Sequence, residues 1–326
     1  MTQRDAVRLG DQATFGATET LLGEMRVQGA AAWVQSQLGS SGSRYSSGNG
    51  DAVHTDVQAV FLCDRAPYAS ANCWRDWFST MPLVWDFYRN ATTQPDQLRQ
   101  RVAFALQQIV VISRMEINGT YGHRNYQNML LDNAFGNYRN VLKKVALSPV
   151  MGDFLNNANN DKAAPNENFA RELLQLFSIG TCELNGDGTL RGGNCMPAYN
   201  NEMVRNYAYA LTGWTYPAGG KSTWGCWPQG TNCQYDGGDM VPLATRHDGS
   251  ARSLLSGVGK AANTNAAEAL ERVLDSLVNH PNMAPFIGKQ LIQFLVSSNP
   301  SPGYVQRVAT AFASGSYAGA GRSFGA

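Results

Sequence analysis

Residues 265–279, NAAEALERVLDSLVN, decide the fold class. Their apolar side chains recur every three or four positions, which places them along one face of an α-helix. These side chains are Leu270, Val273, Leu274, Leu277 and Val278. Asn265 and Glu268 make a start that resembles a capping box, and Pro281 follows the end. The stretch therefore predicts an amphipathic helix over residues 266–279 that buries one face in a core.

Helical spacing of apolar residues extends through most of the chain, whereas strand signals are sparse. Further helices are predicted over residues 18–25, 33–38, 98–109, 126–146, 165–180, 203–213, 286–295 and 302–312. Pro165 suits the first turn of its helix, and Gly180 suits the end of the same helix. The sequence therefore predicts a mostly α fold, a single large helical domain over residues 1–326.

Two segments interrupt the helical pattern. Residues 181–198 contain the turn sequence Asn-Gly-Asp-Gly at 185–188 and predict a small β-hairpin insertion. The same segment matches the first positions of a calcium-binding loop, but Asn194 stands where that loop requires Glu, which favours a plain turn. Residues 214–248 are rich in Gly, Pro and Trp and predict an irregular excursion from the helical domain.

Six cysteines fall into three close pairs along the chain, and none has the C-x-x-C spacing of a redox or zinc site. We predict the disulfides Cys63–Cys73, Cys182–Cys195 and Cys226–Cys233, because most of these cysteines lie in polar, loop-like segments. The alternative is six free thiols in a cytosolic protein. Disulfides favour a periplasmic or extracellular protein with a stapled loop region.

The composition narrows the classes of function. The formal net charge is +1 and no long basic run appears, so the sequence has no electrostatic footprint for nucleic acid. The longest strongly apolar run, residues 109–112, is too short for a transmembrane segment. Residues 1–8 are polar and charged, so no signal peptide is visible. The sequence also lacks the standard motifs of serine hydrolases, zincins, phosphate-loop NTPases and dinucleotide-binding enzymes.

The stretch PNENFARELL, residues 165–174, carries the first group of candidate catalytic residues. Glu167 and Arg171 stand four residues apart and can pair on one helix face, with Glu172 beside them. A carboxylate held by an arginine near a helix start is a candidate acid, base or ligand. The alternative is a solvated helix face or a structural ion pair.

The second group of candidates is a loop histidine with its neighbouring acid. His247 precedes Asp248 and follows a segment rich in Pro and Gly, which is typical of a proton shuttle or a metal ligand. The alternative is turn chemistry, because Asp248 is followed by Gly249. We expect the helical core to bring this loop against the helix that carries Glu167, Arg171 and Glu172.

Several motifs together resemble the bacterial domain-of-unknown-function family 1800. Besides PNENFARELL, they include MGDFLN at 151–156, ALTGW at 210–214 and His247-Asp248 with Arg252. Further matching stretches are residues 8–10, 13–17, 126–130, 135–139, 254–255, 279–281 and 284–287. The resemblance spans almost the whole chain, and family members usually run further, so the domain is expected to lack its C-terminal end here.

The resemblance implies export, often with a cleaved signal, and frequent genomic pairing with a sulfatase-like companion protein. It implies no known reaction and no known cofactor or metal. Two positions depart from the pattern. Many members have a His after a Phe-Trp pair where this chain has residues 104–108, and many have Lys where it has Arg252.

Two functions follow as hypotheses. The first is an envelope enzyme in which Glu167, Arg171, Glu172, His247 and Asp248 perform acid–base or metal-assisted chemistry in one cleft. The second is a non-enzymatic binding or assembly module that acts with the sulfatase-like companion. In that case the same residues fix helix packing, and an exposed aromatic patch is expected around Trp214, Trp224 and Trp227.

Overall fold

The computed structural model describes residues 1–47, 69–73, 75, 79–117, 120–217, 235–317 and 320–321. These residues form a mostly helical fold, as predicted. The helices are α1 Gln3–Ala13, α2 Glu19–Gln28, α3 Ala30–Gly39, α4 Met81–Thr93, α5 Gln97–Ile109, α6 Thr120–Asp132, α7 Tyr138–Leu147, α8 Pro149–Phe154, α9 Asn168–Gln175, α10 Asn201–Ala210, α11 Ala266–Val278, α12 Met283–Leu295 and α13 Pro302–Ser314.

Each strand in the described residues is two residues long, and the strands lie in antiparallel pairs. β1 Trp214–Thr215 pairs with β2 Val241–Pro242, β3 Arg252–Ser253 with β4 Gly259–Lys260, and β5 Ser316–Tyr317 with β6 Ala320–Gly321. The first two pairs join loops that surround the polar residues described below. No helix in the described part of the chain combines the length and apolarity needed to cross a membrane.

Helix α11 is built as residues 265–279 predict. The side chain of Asn265 accepts a hydrogen bond of 2.9 Å from the amide of Glu268, and the helix ends at Val278. Its apolar face is buried in the main core, where α11 contacts both α7 and α10. On its outer edge, Arg139 of α7 forms ion pairs with α11 carboxylates at 2.6–2.7 Å. Burial of one face and ion pairing at its edge together fix α11 in the centre of the fold.

A smaller core lies at the N-terminal end of the chain. Helices α1, α2 and α3 enclose Met25 and Trp33, which are almost completely buried, and Leu98 of α5 packs against this cluster. Thr18 caps α2, because its hydroxyl accepts a hydrogen bond from the amide of Leu21. Helix α5 therefore connects the small core to the main one.

Some predicted boundaries were wrong. The single helix predicted over 126–146 is two helices, because Asn137 caps α7 by accepting a 2.8 Å hydrogen bond from the amide of Arg139. Pro165 precedes α9 rather than occupying its first turn. Helices α1 and α4 were not predicted, and in α4 the apolar residues lie on more than one face. In α4, Met81 and Trp85 are exposed while Leu83 is buried.

The predicted insertion at 181–198 folds back on itself. Antiparallel bridges join Cys182 to Pro197 and Leu184 to Leu190, and the Cys182–Cys195 disulfide closes the loop. This confirms one of the three predicted disulfides. Cys63, Cys226 and Cys233 lie outside the described residues, as does 218–234 of the predicted excursion.

Candidate functional site

Glu167 and Arg171 form the ion pair that their spacing predicts. Glu167 stands at the N-cap position of α9, and one oxygen of its carboxylate lies 3.0 Å from the Arg171 guanidinium. The other oxygen lies 3.7 Å from Arg205 of α10. Both arginine side chains are substantially exposed, so the Coulomb attraction is screened by water and contributes little stability.

Glu172 lies one turn further along α9 and is half-buried. The nearby phenol of Tyr199 interacts electrostatically with both Arg171 and Glu172. Partial burial raises the pKa of Tyr199, so the phenol stays protonated at neutral pH. This end of α9 thus presents two carboxylates, two arginines and a phenol to the surface.

His247 is buried, and backbone carbonyl groups face both of its ring nitrogens. Nδ1 lies 2.8 Å from the carbonyl oxygen of Thr212, and Nε2 lies 3.1 Å from that of Thr264. Which of the two nitrogens donates depends on the tautomer of the ring. The ring thereby links the loop after α10 to the residue that precedes the N-cap of α11.

Gly213 allows this close packing. Its φ is +85°, and a Cβ added there would lie 2.7 Å from Cβ and 2.8 Å from Cα of His247. Any larger residue would therefore meet both a strained backbone and the main chain of the histidine. The Thr-Gly-Trp and His-Asp motifs, 33 residues apart in the sequence, are two halves of one contact.

Asp248 belongs to a fully paired network beside His247. Its carboxylate accepts hydrogen bonds of 2.8 Å from Arg252 Nε and 3.3 Å from the amide of Ser250, and its own amide donates to the hydroxyl of Thr212. Burial alone raises the pKa of Asp248, but the hydrogen bonds from Arg252 and Ser250 outweigh it and lower the pKa below its usual value. The Arg252 guanidinium lies 3.8 Å from the centre of the Tyr209 ring.

The structure shows contacts within each of the two groups of predicted site residues: Glu167 forms an ion pair with Arg171, and Thr212 makes hydrogen bonds with both His247 and Asp248. Among the described residues, neither a hydrogen bond nor an ion pair connects Glu167, Arg171 or Glu172 with His247 or Asp248. The loop before α9 forms the link. There the amide of Lys162 donates to the carbonyl of Arg246 at 2.9 Å, and Asn160 accepts from the amide of Gly213 at 2.8 Å. The convergence of all five in one cleft stays a prediction.

A second polar centre contains two partly buried aspartates that were not among the predicted site residues. Asp153 lies in the last turn of α8 and accepts a hydrogen bond from the hydroxyl of Tyr216, just after β1. The amide of Asp236 donates to the hydroxyl of Tyr121 in α6 at 3.1 Å. The Asp236 Oδ1 atom is buried without a hydrogen-bond partner.

The pKa values of both carboxyl groups in this centre are raised. Burial raises the pKa of Asp153 to about 6, although the hydrogen bond from Tyr216 opposes the shift. Burial, and next the charge of Asp153, raise the pKa of Asp236 well above its usual value. Ionisation of Asp153 therefore makes ionisation of Asp236 less favourable.

A cavity of about 320 Å³ opens beside this carboxyl pair. Asp236 lines it together with Asn125, Lys144 and Ser148. Gly122 on the α6 wall makes room, because a Cβ added there would lie 2.6 Å from Asp236 Oδ2. The cavity thus presents amide, ammonium and hydroxyl groups beside a pair of carboxyl groups, an arrangement suited to proton transfer.

The sequence contained only weak signals for this centre. Asp153 lies within MGDFLN, a motif that served for the family resemblance, and its position between Gly152 and Phe154 marks it as an acid in apolar surroundings. Asp236 lies in the predicted excursion, where nothing in the spacing connects it to α8. In the described ranges, His, Cys, Asp and Glu side chains do not gather in threes or more as a metal ion would require.

Comparison with known proteins gives one match. A family model described as a protein of unknown function (DUF1800) matches residues 8–319. Neither the curated proteins nor the solved structures contain a match to this chain.

Proposed function

The chain belongs to the DUF1800 family of proteins of unknown function, and from that premise we propose that it is an exported enzyme whose acid–base chemistry is performed by Asp153 and Asp236. The observation that carries the proposal is the Oδ1 atom of Asp236, which is buried without a hydrogen-bond partner in a residue that lines a polar cavity. A buried polar atom without a partner lowers stability, so its presence beside a cavity favours a functional role.

The surroundings assign different roles to the two carboxyl groups. Asp236 keeps its proton and serves as the general acid, since burial and the neighbouring negative charge both disfavour its ionised form. Asp153 is ionised above about pH 6 and serves as the general base, held in place by the hydroxyl of Tyr216. The cavity's amide, ammonium and hydroxyl groups suit a polar substrate with several hydrogen-bonding groups.

The proposal is tested with Asp153→Asn and Asp236→Asn on a panel of chromogenic esters, glycosides and peptides. Each variant is expected to lower turnover by about 100-fold or more while the fold persists. The matched control is Asp239→Asn, because Asp239 lines the same cavity but pairs with Lys144 at 2.7 Å. Unchanged turnover in both carboxyl variants, on a substrate that the wild type cleaves, contradicts the proposal.

Glu167, Arg171, Glu172, His247 and Asp248 remain a second catalytic proposal for the same enzyme. In this version Glu172 transfers the proton, and Arg171 holds an anionic group of the substrate. Glu172→Gln should then abolish turnover without changing the melting temperature. A loss of stability in His247→Ala would instead assign the histidine to the structural network.

The export part of the proposal rests on the Cys182–Cys195 disulfide, which is compatible with an oxidising compartment. Fractionation of the native host tests it: the protein is expected in the periplasm or the medium, and recovery from the cytosol would contradict it.

A second candidate function is a binding or assembly module that acts with the sulfatase-like companion. Trp214 is buried, and Trp224 and Trp227 lie outside the described residues, so another surface supports this candidate. Met81, Trp85 and Tyr88 lie along one exposed face of α4. Trp85→Ala and Tyr88→Ala are expected to abolish co-purification with the companion, and retention by both variants would count against the module.

A further inference from the structure

A concave surface between α1, α5 and the end of α12 collects three arginines. Arg4 and Arg8 stand four residues apart on one face of α1, and Arg101 reaches the same cavity of about 560 Å³ from α5. Asp11 is the one carboxylate among the described residues that line it. The lining therefore carries an excess of positive charge.

Arg101 is held in place while its terminal nitrogens stay available. Its Nε donates to the carbonyl oxygen of Gln12 at 3.4 Å, and its guanidinium lies 5.1 Å from the centre of the Phe15 ring. Partial burial lowers the pKa of Arg101, which shows that the cation has lost part of its hydration. In the described part of the chain, its Nη atoms have neither a hydrogen bond nor an ion pair.

In the part of the chain that the structure describes, the arginines of this cavity have no carboxylate partner. Several other arginines of the described chain do pair with carboxylates, as Arg139, Arg191 and Arg252 do. Within the described residues, Arg4 and Arg8 lie near no carboxylate at ion-pair distance. Unpaired cations that line one cavity repel one another, and an anion between them would remove that cost.

We infer that this arginine pocket, formed by Arg4, Arg8 and Arg101, binds a phosphate or sulfate group carried by a soluble ester or a lipid. The planar guanidinium fork matches the oxygens of such a group and donates two hydrogen bonds at once. Ser297 and Ser298 line the same cavity and add hydroxyl donors. The pocket is lined by none of the residues assigned to the acid–base centre, so the inference is independent of the proposed function.

Calorimetric titration of the full chain with inorganic phosphate, sulfate and chloride tests the inference. Phosphate and sulfate are expected to bind at one site, and Arg101→Gln and Arg8→Gln should each weaken them by about tenfold or more, as loss of a charge-assisted hydrogen bond implies. Arg101→Lys keeps the charge but loses the fork, so it should weaken binding as well. Arg272→Gln is the matched control, since Arg272 is exposed on α11 and remote from the lining.

Equal binding of chloride, or an equal loss in Arg272→Gln, would overturn the inference, and so would the absence of phosphate binding at about 10 mM. Arg8 is exposed on α1, so its substitution keeps the test valid if Arg101→Gln disturbs packing on Phe15. Sedimentation with phosphatidic acid vesicles separates the sources of the group. If the protein binds phosphate and also sediments with the vesicles, the ligand is a lipid headgroup. If it binds phosphate but does not sediment with the vesicles, the ligand is a soluble ester.

Discussion

The network around Asp248 is buried and the centre around Asp236 is partly buried; both are polar, but they differ in pairing. Asp248 receives hydrogen bonds from Arg252 and Ser250, and the neighbouring His247 meets an acceptor at each ring nitrogen. Asp236 has an unpaired oxygen and a like charge beside it. A fully paired network stabilises the fold, whereas an incompletely paired one lowers stability and is expected to persist where function requires it.

The largest expected effect of a substitution is in the paired network. Gly213→Ala should destabilise the protein by about 3 kcal/mol or more, because the new Cβ needs a positive φ and overlaps the backbone of His247. Chemical denaturation with a two-state fit measures the loss.

Gly257→Ala provides the matched control for this substitution. Gly257 also has a positive φ, of +70°, but nothing lies within 4 Å of its added Cβ. Its cost should be about 1 kcal/mol, from backbone strain alone. Equal losses at the two glycines would show that contact with His247 contributes nothing.

The sequence predicted the helices around this network, but it did not predict the contact between Gly213 and His247. Helix α11 was predicted closely because its apolar face, N-cap and terminating proline all agree. The pairing of Gly213 with His247 joins two loops across 34 residues of sequence. No periodicity describes such a contact, since it depends on how β1 and β2 return the chain to α10.

Asp248→Asn is expected to have the next largest effect. Breaking this ion pair leaves Arg252 mostly buried without its charge partner, which should cost about 2–3 kcal/mol after allowance for the partial exposure of the arginine. Because the pKa of Asp248 is lower in the folded than in the unfolded state, its contribution is present above the unfolded pKa and is lost as the pH falls through the folded value. The stability difference between wild type and variant should therefore shrink in acid, and a constant difference down to about pH 2 would contradict this account.

The effect of Asp236→Asn on stability should have the opposite sign to that of Asp248→Asn. A carboxyl group whose pKa is raised on folding contributes stability below its unfolded pKa, and this is lost as the pH rises through the folded value. For Asp153 that window runs from about 4 to about 6. The Asp236→Asn variant should therefore be more stable than wild type near pH 8 and nearly equal to it near pH 4.

Denaturation curves at several pH values measure the sign of this stability change, with Asp239→Asn as the control. A destabilised Asp236→Asn protein near pH 8 would show that the carboxyl pair is structural.

The sequence alone could not indicate this centre, because burial of Asp153 and Asp236 depends on the packing of α6 and α8 against the chain after β1. An isolated Asp before an aromatic residue is common, and only the approach of a second carboxyl group changes its chemistry.

The smallest expected effect is at the exposed pair that the sequence predicted directly. Glu167→Gln removes ion pairs with Arg171 and Arg205, both well exposed to water, so it should change stability by less than about 0.5 kcal/mol. Glu172→Gln on the same helix is the companion variant. If either change leaves the denaturation midpoint in place but lowers turnover, the exposed end of α9 belongs to the reaction, and the carboxyl group of Asp236 is not the sole source of acid–base chemistry. If both leave midpoint and turnover unchanged, the contrast sharpens: α9 supplies a solvated surface, the His247 and Asp248 network supplies stability, and the chemistry lies at the carboxyl pair.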